Sequence, residues 1–217
     1  MNETTAERVL AGRWAAYAAR AAAGDGTDLR VRAVPALSGE AGSHEEAVAP
    51  FGAAWPGLAA GRERPWGADP DELAARVLAD VRAAEQRRLA EYARDAARGI
   101  AATRPAFALG RPHRAAETAD LLARRGLTGL FPYGAAELTA VLTSWEERFG
   151  TRLVGLDHET LILSVAAPPR TPPEAERVAA EHFAFSCDTV LRDGDAALRE
   201  YAANQLVAAR TWRFWWD

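Results

Sequence analysis

The chain has 217 residues, of which 49% are apolar and 26% charged, enough for one domain, or one domain with an extension, around a hydrophobic core. Its 26 basic and 30 acidic residues give a formal charge of −4, without the basic excess that is typical of nucleic-acid binders. Every basic residue is arginine, which excludes a lysine Schiff base and a lysine-containing phosphate loop.

Cysteine usage and hydropathy predict a cytoplasmic protein. The single cysteine, Cys187, excludes an internal disulfide and a cysteine zinc cluster, and it fits a reducing compartment. The N-terminus lacks the basic start and apolar run of a signal peptide. No window approaches 18 uncharged apolar residues, so we expect neither a membrane span nor a membrane partner.

The first half of the chain predicts two helices separated by an irregular connection. Residues 5–23 have helical spacing of apolar residues behind the capping residues Thr4 and Thr5, and Leu29 to Ala33 alternates like a strand. Residues 35–68 are rich in Gly, Pro and Ala, and we expect aromatic anchors there: Phe51, Trp55 and Trp66. Asp69-Pro70-Asp71-Glu72 then starts a helix that runs to about Arg98.

The middle of the chain predicts a helix followed by a hairpin. Residues 100–109 suggest a strand broken by proline, and residues 115–125 an amphipathic helix. Apolar residues from Leu138 to Phe149 follow helical spacing, and Gly150 is the expected left-handed terminator. Two apolar runs joined by Asp157-His158-Glu159-Thr160 predict a hairpin whose sheet is covered on both faces.

The last third of the chain predicts two helices and a terminal strand. Thr171-Pro172-Pro173-Glu174 is a capping signature for a helix with His182 on its apolar stripe, and residues 196–207 predict another helix. Residues 211–216 place Trp212, Phe214 and Trp216 on one face. Because chain ends usually fray, this aromatic strand is expected to pair inside the sheet.

Together these elements predict an α+β fold. A small mixed or antiparallel sheet contains the hairpin, at about residues 152–166, and the C-terminal strand 211–216, and helices pack against it. We expect a variable N-terminal helix and strand at residues 1–48, a helical part at 49–130 and an α+β core at 131–217. The last two parts are expected to form one compact unit.

Three blocks of sequence resemble a bacterial family that is catalogued as domain of unknown function 4253. They occur in the expected order: Leu142-Thr143-Ser144-Trp145-Glu146-Glu147-Arg148-Phe149-Gly150, Ala180-Glu181-His182-Phe183-Ala184-Phe185 and Trp212-Arg213-Phe214-Trp215-Trp216-Asp217. Upstream, Ala54-Trp55-Pro56-Gly57-Leu58 is similar to an earlier Pro-Gly-Leu element. The resemblance covers residues 120–217, with an extension from about residue 50. It implies a cytosolic bacterial protein, and it implies no activity.

Two departures from the family pattern stand within the resembling region. Ser186-Cys187-Asp188 replaces the Cys-Pro-Asp that tends to follow the Glu-His-Phe block, and Gly126-Leu127 replaces a Gly-Trp pair. Cys187 follows a predicted helix C-terminus, where the helix dipole raises the pKa of a thiol. An activated thiolate is therefore not expected at Cys187.

The first candidate ligand-binding group lies in one helical turn. Trp145, Glu146 and Arg148 could line a cleft mouth, with Arg148 binding a carboxylate or phosphate. The structural alternative places Trp145 in the core and pairs Arg148 with an acidic side chain such as Asp217. The position of Asp217 relative to Arg148 separates these two hypotheses.

The second candidate group is Glu181 and His182. His182 could act as a general base if a partner lies within hydrogen-bond reach, although a histidine on an apolar stripe is more often a core residue. No pair of histidines has metal-ligand spacing, and no phosphate-loop, dinucleotide or nucleophile-elbow motif occurs. We therefore expect no metal and no cofactor, and no catalytic residue is assigned.

Two functional hypotheses follow from these observations. The first is a non-enzymatic cytosolic binding or interaction module with an unknown protein partner, and self-association as a homo-oligomer is left open. The alternative is an enzyme or small-ligand receptor with a pocket near His182, Glu146 and Arg148. Acidic composition argues against nucleic acid as the partner in either case.

Overall fold

The computed structural model describes residues 4–23, 44–97, 107–129, 133–192 and 197–216. The chain forms two compact units, which interleave along the sequence. Unit 1 comprises Met1–Arg62, Pro168–Ala209 and Phe214–Asp217, and unit 2 comprises Glu63–Ala167 and Arg210–Arg213. The domain boundaries predicted at residues 48 and 130 stay predictions. The predicted strand at 29–33 lies outside the described residues.

The described strands confirm the predicted α+β class and decide for an antiparallel sheet. The strands are β1 (Ala108–His113), β2 (Thr151–Leu156), β3 (Thr160–Val165) and β4 (Thr211–Trp215), in the sheet order β1-β2-β3-β4. The β2–β3 pair is the predicted hairpin, with Thr151 opposite Val165. Almost every residue of these two strands is buried, as the uninterrupted apolar runs predicted.

The helices match most of the predicted segments. In chain order they are α1 (Ala6–Ala22), α2 (His44–Ala47), α3 (Pro70–Ala97), α4 (Thr118–Arg125), α5 (Ala135–Phe149), α6 (Pro172–Phe185), α7 (Cys187–Arg192) and α8 (Leu198–Tyr201). A 3₁₀ turn at Ala115–Glu117 precedes α4, and a π-helical turn at Ala202–Leu206 follows α8. Thr5 caps α1 through Arg8 N, and Asp69 caps α3.

Unit 2 is built on the sheet and on α3. The first three turns of α3 contribute its buried side chains, which pack with residues of β2 and β3 in one cluster. The members of this cluster are Leu73, Ala74, Val77, Leu78, Val81, Phe107, Val154, Ile162 and Ala166. This packing fixes the start of α3 beside the strands.

The end of α5 and the start of β4 form a second buried contact in unit 2. The ring centroid of Trp212 lies 5.8 Å from that of Trp145 and 5.3 Å from that of Phe149, both edge to face. All three rings are at most 1% exposed. The C-terminal strand and the Trp145 turn are therefore parts of one core.

Gly150 ends α5 in the left-handed conformation that was predicted. Its φ is 63° and its N–H donates to the Glu146 carbonyl at 3.0 Å. The ring of Trp66 and the side chain of Ala166 lie against it so closely that an added Cβ would meet both. Glycine is required here both by the backbone and by the space.

Unit 1 holds part of the irregular connection through hydrogen bonds to two glutamates. Glu7 accepts from Trp55 Nε1 at 2.6 Å and from the Leu58 N–H at 3.3 Å. The buried Glu181 accepts from the Ala59 N–H at 2.7 Å. The prediction that aromatic residues anchor this connection is confirmed for Trp55.

The two edge strands of the sheet differ in how closely they match the predictions. The strand predicted at 100–109 corresponds to β1, which ends four residues later than predicted, at His113. Residues 98–106 lie outside the described ranges. Pro112 is tolerated within β1 because this strand is at the sheet edge, where a residue without an N–H is acceptable. The terminal strand was expected to pair within the sheet, and β4 does so beside β3, at the opposite edge from β1. The alternation of β4 indicates that one of its faces is buried, and an edge strand can bury one face as well as a central strand can.

The helix predicted at 196–207 also differs from the structure. After α8 the backbone widens into the π turn, where the Val207 N–H donates to the Ala202 carbonyl five residues earlier, at 3.3 Å. Apolar spacing does not distinguish hydrogen bonds to the fourth residue from those to the fifth, so this turn was not predictable from periodicity.

Candidate functional site

A cleft of about 740 Å³ opens in unit 2. It lies where the segment before α3 meets the 3₁₀ turn, the last turn of α5 and the beginning of β2. Its lining residues are Arg64, Pro65, Trp66, Ala68, Asp69, Pro70, Asp71, Arg114, Glu146 and Arg152. The volume is within the usual range for small-molecule sites, about 300 to 1,000 Å³.

Arg152 is the buried charge at the base of this cleft. Its side chain is 6% exposed, and its Nε donates to Asp71 Oδ1 at 2.6 Å. Its Nη1 donates to the Thr151 carbonyl at 2.9 Å and lies 3.1 Å from Glu146 Oε1. Because a buried cation without a counter-charge is costly, the carboxylates of Asp71 and Glu146 are needed to stabilise the charge of Arg152 in this buried position. Within the described residues Nη2 has no hydrogen-bond partner.

Arg114 closes the ion pairs into a ring. Its Nη1 lies 3.4 Å from Glu146 Oε1 and its Nη2 lies 3.4 Å from Asp71 Oδ2. Glu146 Oε2 also accepts from the Ala115 N–H at 2.8 Å. Each of the two carboxylates therefore contacts both arginines. We call Asp71, Arg114, Glu146 and Arg152 the charge ring.

The charge ring keeps Asp71 ionised. The hydrogen bond from Arg152 lowers the pKa of this carboxyl group below its ordinary value of 3.8, and the charges of Arg152 and Arg114 act in the same direction. At neutral pH the aspartate is therefore a fixed acceptor for arginine N–H groups. It is poorly suited to exchange protons with a ligand in that range.

Arg64 and Trp66 form the other side of the cleft. The guanidinium carbon of the exposed Arg64 lies 4.6 Å from the centroid of the Trp66 ring, a cation–π contact. Within the described part of the chain, Arg64 makes no ion pair and no hydrogen bond. The less polar lining residues Pro65, Ala68 and Pro70 come from the same segment of the chain. The lining therefore combines charged residues with apolar ones.

The three candidate ligand-binding residues of α5 do not all line the cleft. Glu146 lines the cleft, whereas Trp145 is fully buried in the core beside Trp212. Arg148 Nε donates to the Ser144 carbonyl at 3.2 Å and to its Oγ at 3.1 Å, and Arg148 is not among the lining residues. Asp217 lies outside the described residues, so its pairing with Arg148 stays a prediction.

Glu181 and His182 belong to unit 1 and are both fully buried. His182 Nδ1 is 2.9 Å from the Tyr201 hydroxyl, and its ring centroid is 4.6 Å from that of Phe214. Glu181 accepts from the Ala59 N–H, as described above. Within unit 1 these contacts are those of core polar residues, and the proposal that they bind a ligand stays a prediction.

Sequence reasoning missed Arg64, Trp66, Asp71, Arg114 and Arg152 as site residues. One signal was available, because Arg152 is the charged residue of an otherwise apolar strand. A charge in a strand that is buried on both faces requires a counter-charge. The partner itself was not predictable, since Asp71 is 81 residues earlier in the chain.

Cys187 is unreactive for a different reason from the one predicted. It begins α7 directly after α6, so the argument from one helix C-terminus was incomplete. Burial raises the pKa of its thiol to about 11, and burial also raises the pKa of the Tyr17 hydroxyl beside it. The thiol is therefore protonated at neutral pH.

Neither a metal-binding cluster nor a membrane-spanning helix occurs in the described part of the chain. Among the described residues no three His, Cys, Asp or Glu side chains are arranged to hold a metal ion. None of the helices in the described ranges combines the length and apolarity that a membrane crossing requires.

A surface ion pair beside β1 gives a prediction about pH. Hydrogen bonds from Arg111, and then from the Arg114 N–H, lower the pKa of Glu117 from 4.5 to about 2. A lowered pKa stabilises the fold above pH 4.5, and this stabilisation is lost as the pH falls from 4.5 toward 2. Glu117→Gln should therefore unfold more easily by about 1 kcal/mol at pH 6 and differ less from the parent at pH 3. Urea titrations at both pH values measure this difference.

The matched control for that experiment is Glu147→Gln. Glu147 is exposed on α5 and makes no ion pair within the described ranges. We expect its substitution to leave the free energy of unfolding within about 0.5 kcal/mol at both pH values. Equal pH dependence in the two variants would contradict the assignment.

Comparison with known families assigns the C-terminal half of the chain. Residues 113–217 match the family described as "Domain of unknown function (DUF4253)". This region is a DUF4253 domain. The match confirms the predicted family and begins at His113, the last residue of β1. Comparison with curated proteins and with solved structures gives no match.

The DUF4253 domain supplies only part of the cleft. Arg114, Glu146 and Arg152 belong to it, whereas Asp71 and the lining residues from Arg64 to Pro70 precede it. The upstream resemblance at Ala54 to Leu58 also precedes the matched range. The charge ring is thus completed by a residue outside the DUF4253 domain.

Proposed function

We propose that the protein is a non-enzymatic binding module whose unit 2 cleft holds a small ligand through an anionic group. The observation that carries this proposal is Arg152, a buried guanidinium that two carboxylates fix in place while its Nη2 has no partner within the described residues. Arg64 adds a guanidinium on the same cleft that makes no ion pair or hydrogen bond within the described residues and contacts the Trp66 ring. Fixed donors that line a cavity and are not bonded to a protein acceptor favour a ligand that accepts hydrogen bonds.

Binding is better supported than acid–base catalysis. A general acid or base works best when its pKa is near the operating pH, and the pKa of Asp71 is shifted away from it. The other ring carboxylate, Glu146, is occupied by Arg152, Arg114 and the Ala115 N–H. The alternative of an enzyme using Glu181, His182 and Arg148 receives less support, because those side chains make core or intrahelical contacts within their own units.

We also propose a cytoplasmic location in a bacterial cell. The single cysteine and the family resemblance support it. A protein partner or self-association is compatible with a binding module. Light scattering on the purified chain, with and without ligand, addresses self-association directly.

A ligand screen tests the binding proposal. We expect at least one of the small anions acetate, benzoate, phenyl phosphate and inorganic phosphate, at 10 mM and constant ionic strength, to raise the melting temperature by favouring the folded state. Arg64→Ala should weaken the affinity about tenfold, since it removes a charge-assisted contact. Arg64 is exposed and makes no ion pair or hydrogen bond within the described residues, and its contact with the Trp66 ring is at the surface, so this variant should change its own melting temperature little.

Two further variants complete that experiment. Arg152→Met should abolish the ligand-induced shift, and Arg124→Met, an exposed arginine of α4 outside the cleft lining, should leave it unchanged. The proposal fails if no probe stabilises the parent protein, or if a shift persists undiminished in both cleft variants.

A further inference from the structure

We infer that the ligand is a monocarboxylic acid with a compact apolar body, most simply an aromatic one. This inference rests on the binding function proposed above, because it specifies which small anion the same cleft selects. It is drawn from three properties of the lining: whether its free hydrogen-bonding groups are donors or acceptors, the sum of its charges and the polarity of its remaining residues.

The uncommitted groups of the cleft are donors. Arg152 Nη2, Arg114 Nε and the whole guanidinium of Arg64 have no hydrogen-bond partner within the described residues. The carboxylates are in contrast already acceptors: Asp69 accepts from two backbone N–H groups at the start of α3, and Asp71 and Glu146 accept from the ring arginines. A ligand head group must therefore accept hydrogen bonds.

The charges of the lining favour a monoanion over a dianion. Three arginines face three carboxylates, so the formal charge of the lining is zero. Within the charge ring both arginines are neutralised by Asp71 and Glu146, and Arg64 is the cation without an acidic partner among the described residues. A dianionic phosphate would add two negative charges beside three carboxylates, and like charges at short range repel. A monoanion adds one negative charge, with which Arg64 can pair, so it meets less repulsion from the three carboxylates than a dianion does.

A carboxylate also fits the donors in shape. It is planar and presents two oxygens that match the parallel N–H groups of a guanidinium. Arg152 is held in place by its contacts to Asp71, Glu146 and the Thr151 carbonyl, so its free N–H groups point from a fixed origin. Little side-chain entropy remains to be lost there when a ligand binds.

The less polar residues of the lining select the body of the ligand. Pro65, Trp66, Ala68 and Pro70 are the less polar residues of the lining, and the Arg64 guanidinium stacked on Trp66 adds a flat surface. Aromatic rings pack favourably on both indole and guanidinium planes. These less polar residues precede the DUF4253 domain, whereas the donors Arg114 and Arg152 belong to it. The upstream segment thus selects the apolar body of the ligand, and the DUF4253 domain selects its anionic head group.

Isothermal titration calorimetry of the full chain with four matched probes tests this inference. At pH 8, benzoate should bind most tightly. Acetate lacks the ring, benzyl alcohol lacks the charge and phenyl phosphate is a dianion, and each should bind at least fivefold more weakly. Arg64→Ala should weaken benzoate binding about tenfold, and Arg64→Lys, which keeps the charge without the planar fork, should recover only part of that loss.

The outcomes separate this inference from the proposed function. If phenyl phosphate binds more tightly than benzoate, and Arg64→Ala weakens that binding, the cleft is an anion site but not a carboxylate site. Equal affinity for acetate and benzoate would refute the apolar body. If no probe binds in a way that depends on Arg64 or Arg152, the proposed function and this inference fail together.

Discussion

Replacing Trp212 with alanine should lower the free energy of unfolding by about 3–5 kcal/mol, the usual cost of deleting a fully buried aromatic side chain. Trp212 is 1% exposed and lies edge to face with Trp145 and Phe149. The variant loses the buried area of the indole, both ring contacts and the close packing around them. Urea unfolding followed by circular dichroism measures the change.

Two controls accompany Trp212→Ala. Trp212→Phe keeps an aromatic ring in the same place and should recover at least half of the loss. Thr211→Ala changes an exposed neighbour on the opposite face of β4 and should stay within about 0.5 kcal/mol of the parent. A loss below about 1 kcal/mol for Trp212→Ala would show that the terminal strand contributes little to the core of unit 2.

Gly150→Ala is expected to cost about 3 kcal/mol in unfolding free energy. The left-handed backbone at φ 63° disfavours any Cβ, by about 1–2 kcal/mol. The added atom would also come within 2.6 Å of Trp66 Cε3 and 2.9 Å of Ala166 Cβ, and overpacking typically costs about 1–3 kcal/mol. Thermal and chemical unfolding both measure this loss.

The chain contains a matched control for Gly150. Gly126 ends α4 with a φ of 68°, and no atom of the described residues lies within 4 Å of the position a Cβ would take. Gly126→Ala should therefore show only the backbone cost, about 1–2 kcal/mol. The difference between the two variants measures the contact with Trp66. If both lose the same stability, that contact is not tight in solution.

Much of the fold could be predicted because its signals are local. Asp69 caps α3, Gly150 terminates α5, and Glu174 reaches back to the Thr171 N–H at 3.4 Å, each within four residues of the group that it contacts. The hairpin followed from two apolar runs around a short polar turn. These features depend on spacing, which a sequence states directly.

The cleft could not be predicted because its contacts join distant positions. Asp71 and Arg152 are 81 residues apart, and Arg114 and Glu146 are 32 residues apart. Periodicity placed Glu146 on a helix but did not show which strand would lie beside it. His182 shows the opposite case, since its apolar stripe indicated a core position and it is fully buried.

The charge ring constrains how this cleft can diverge in evolution. Because each of its two carboxylates contacts both arginines, the loss of any one member leaves one charge of the ring uncompensated. A single replacement in the ring is therefore expected to destabilise the fold more than a paired replacement that removes one charge of each sign. Relatives that alter Arg152 should carry a compensating change at Asp71 or Glu146, so the ring will appear in their sequences as coevolving positions inside and outside the DUF4253 domain.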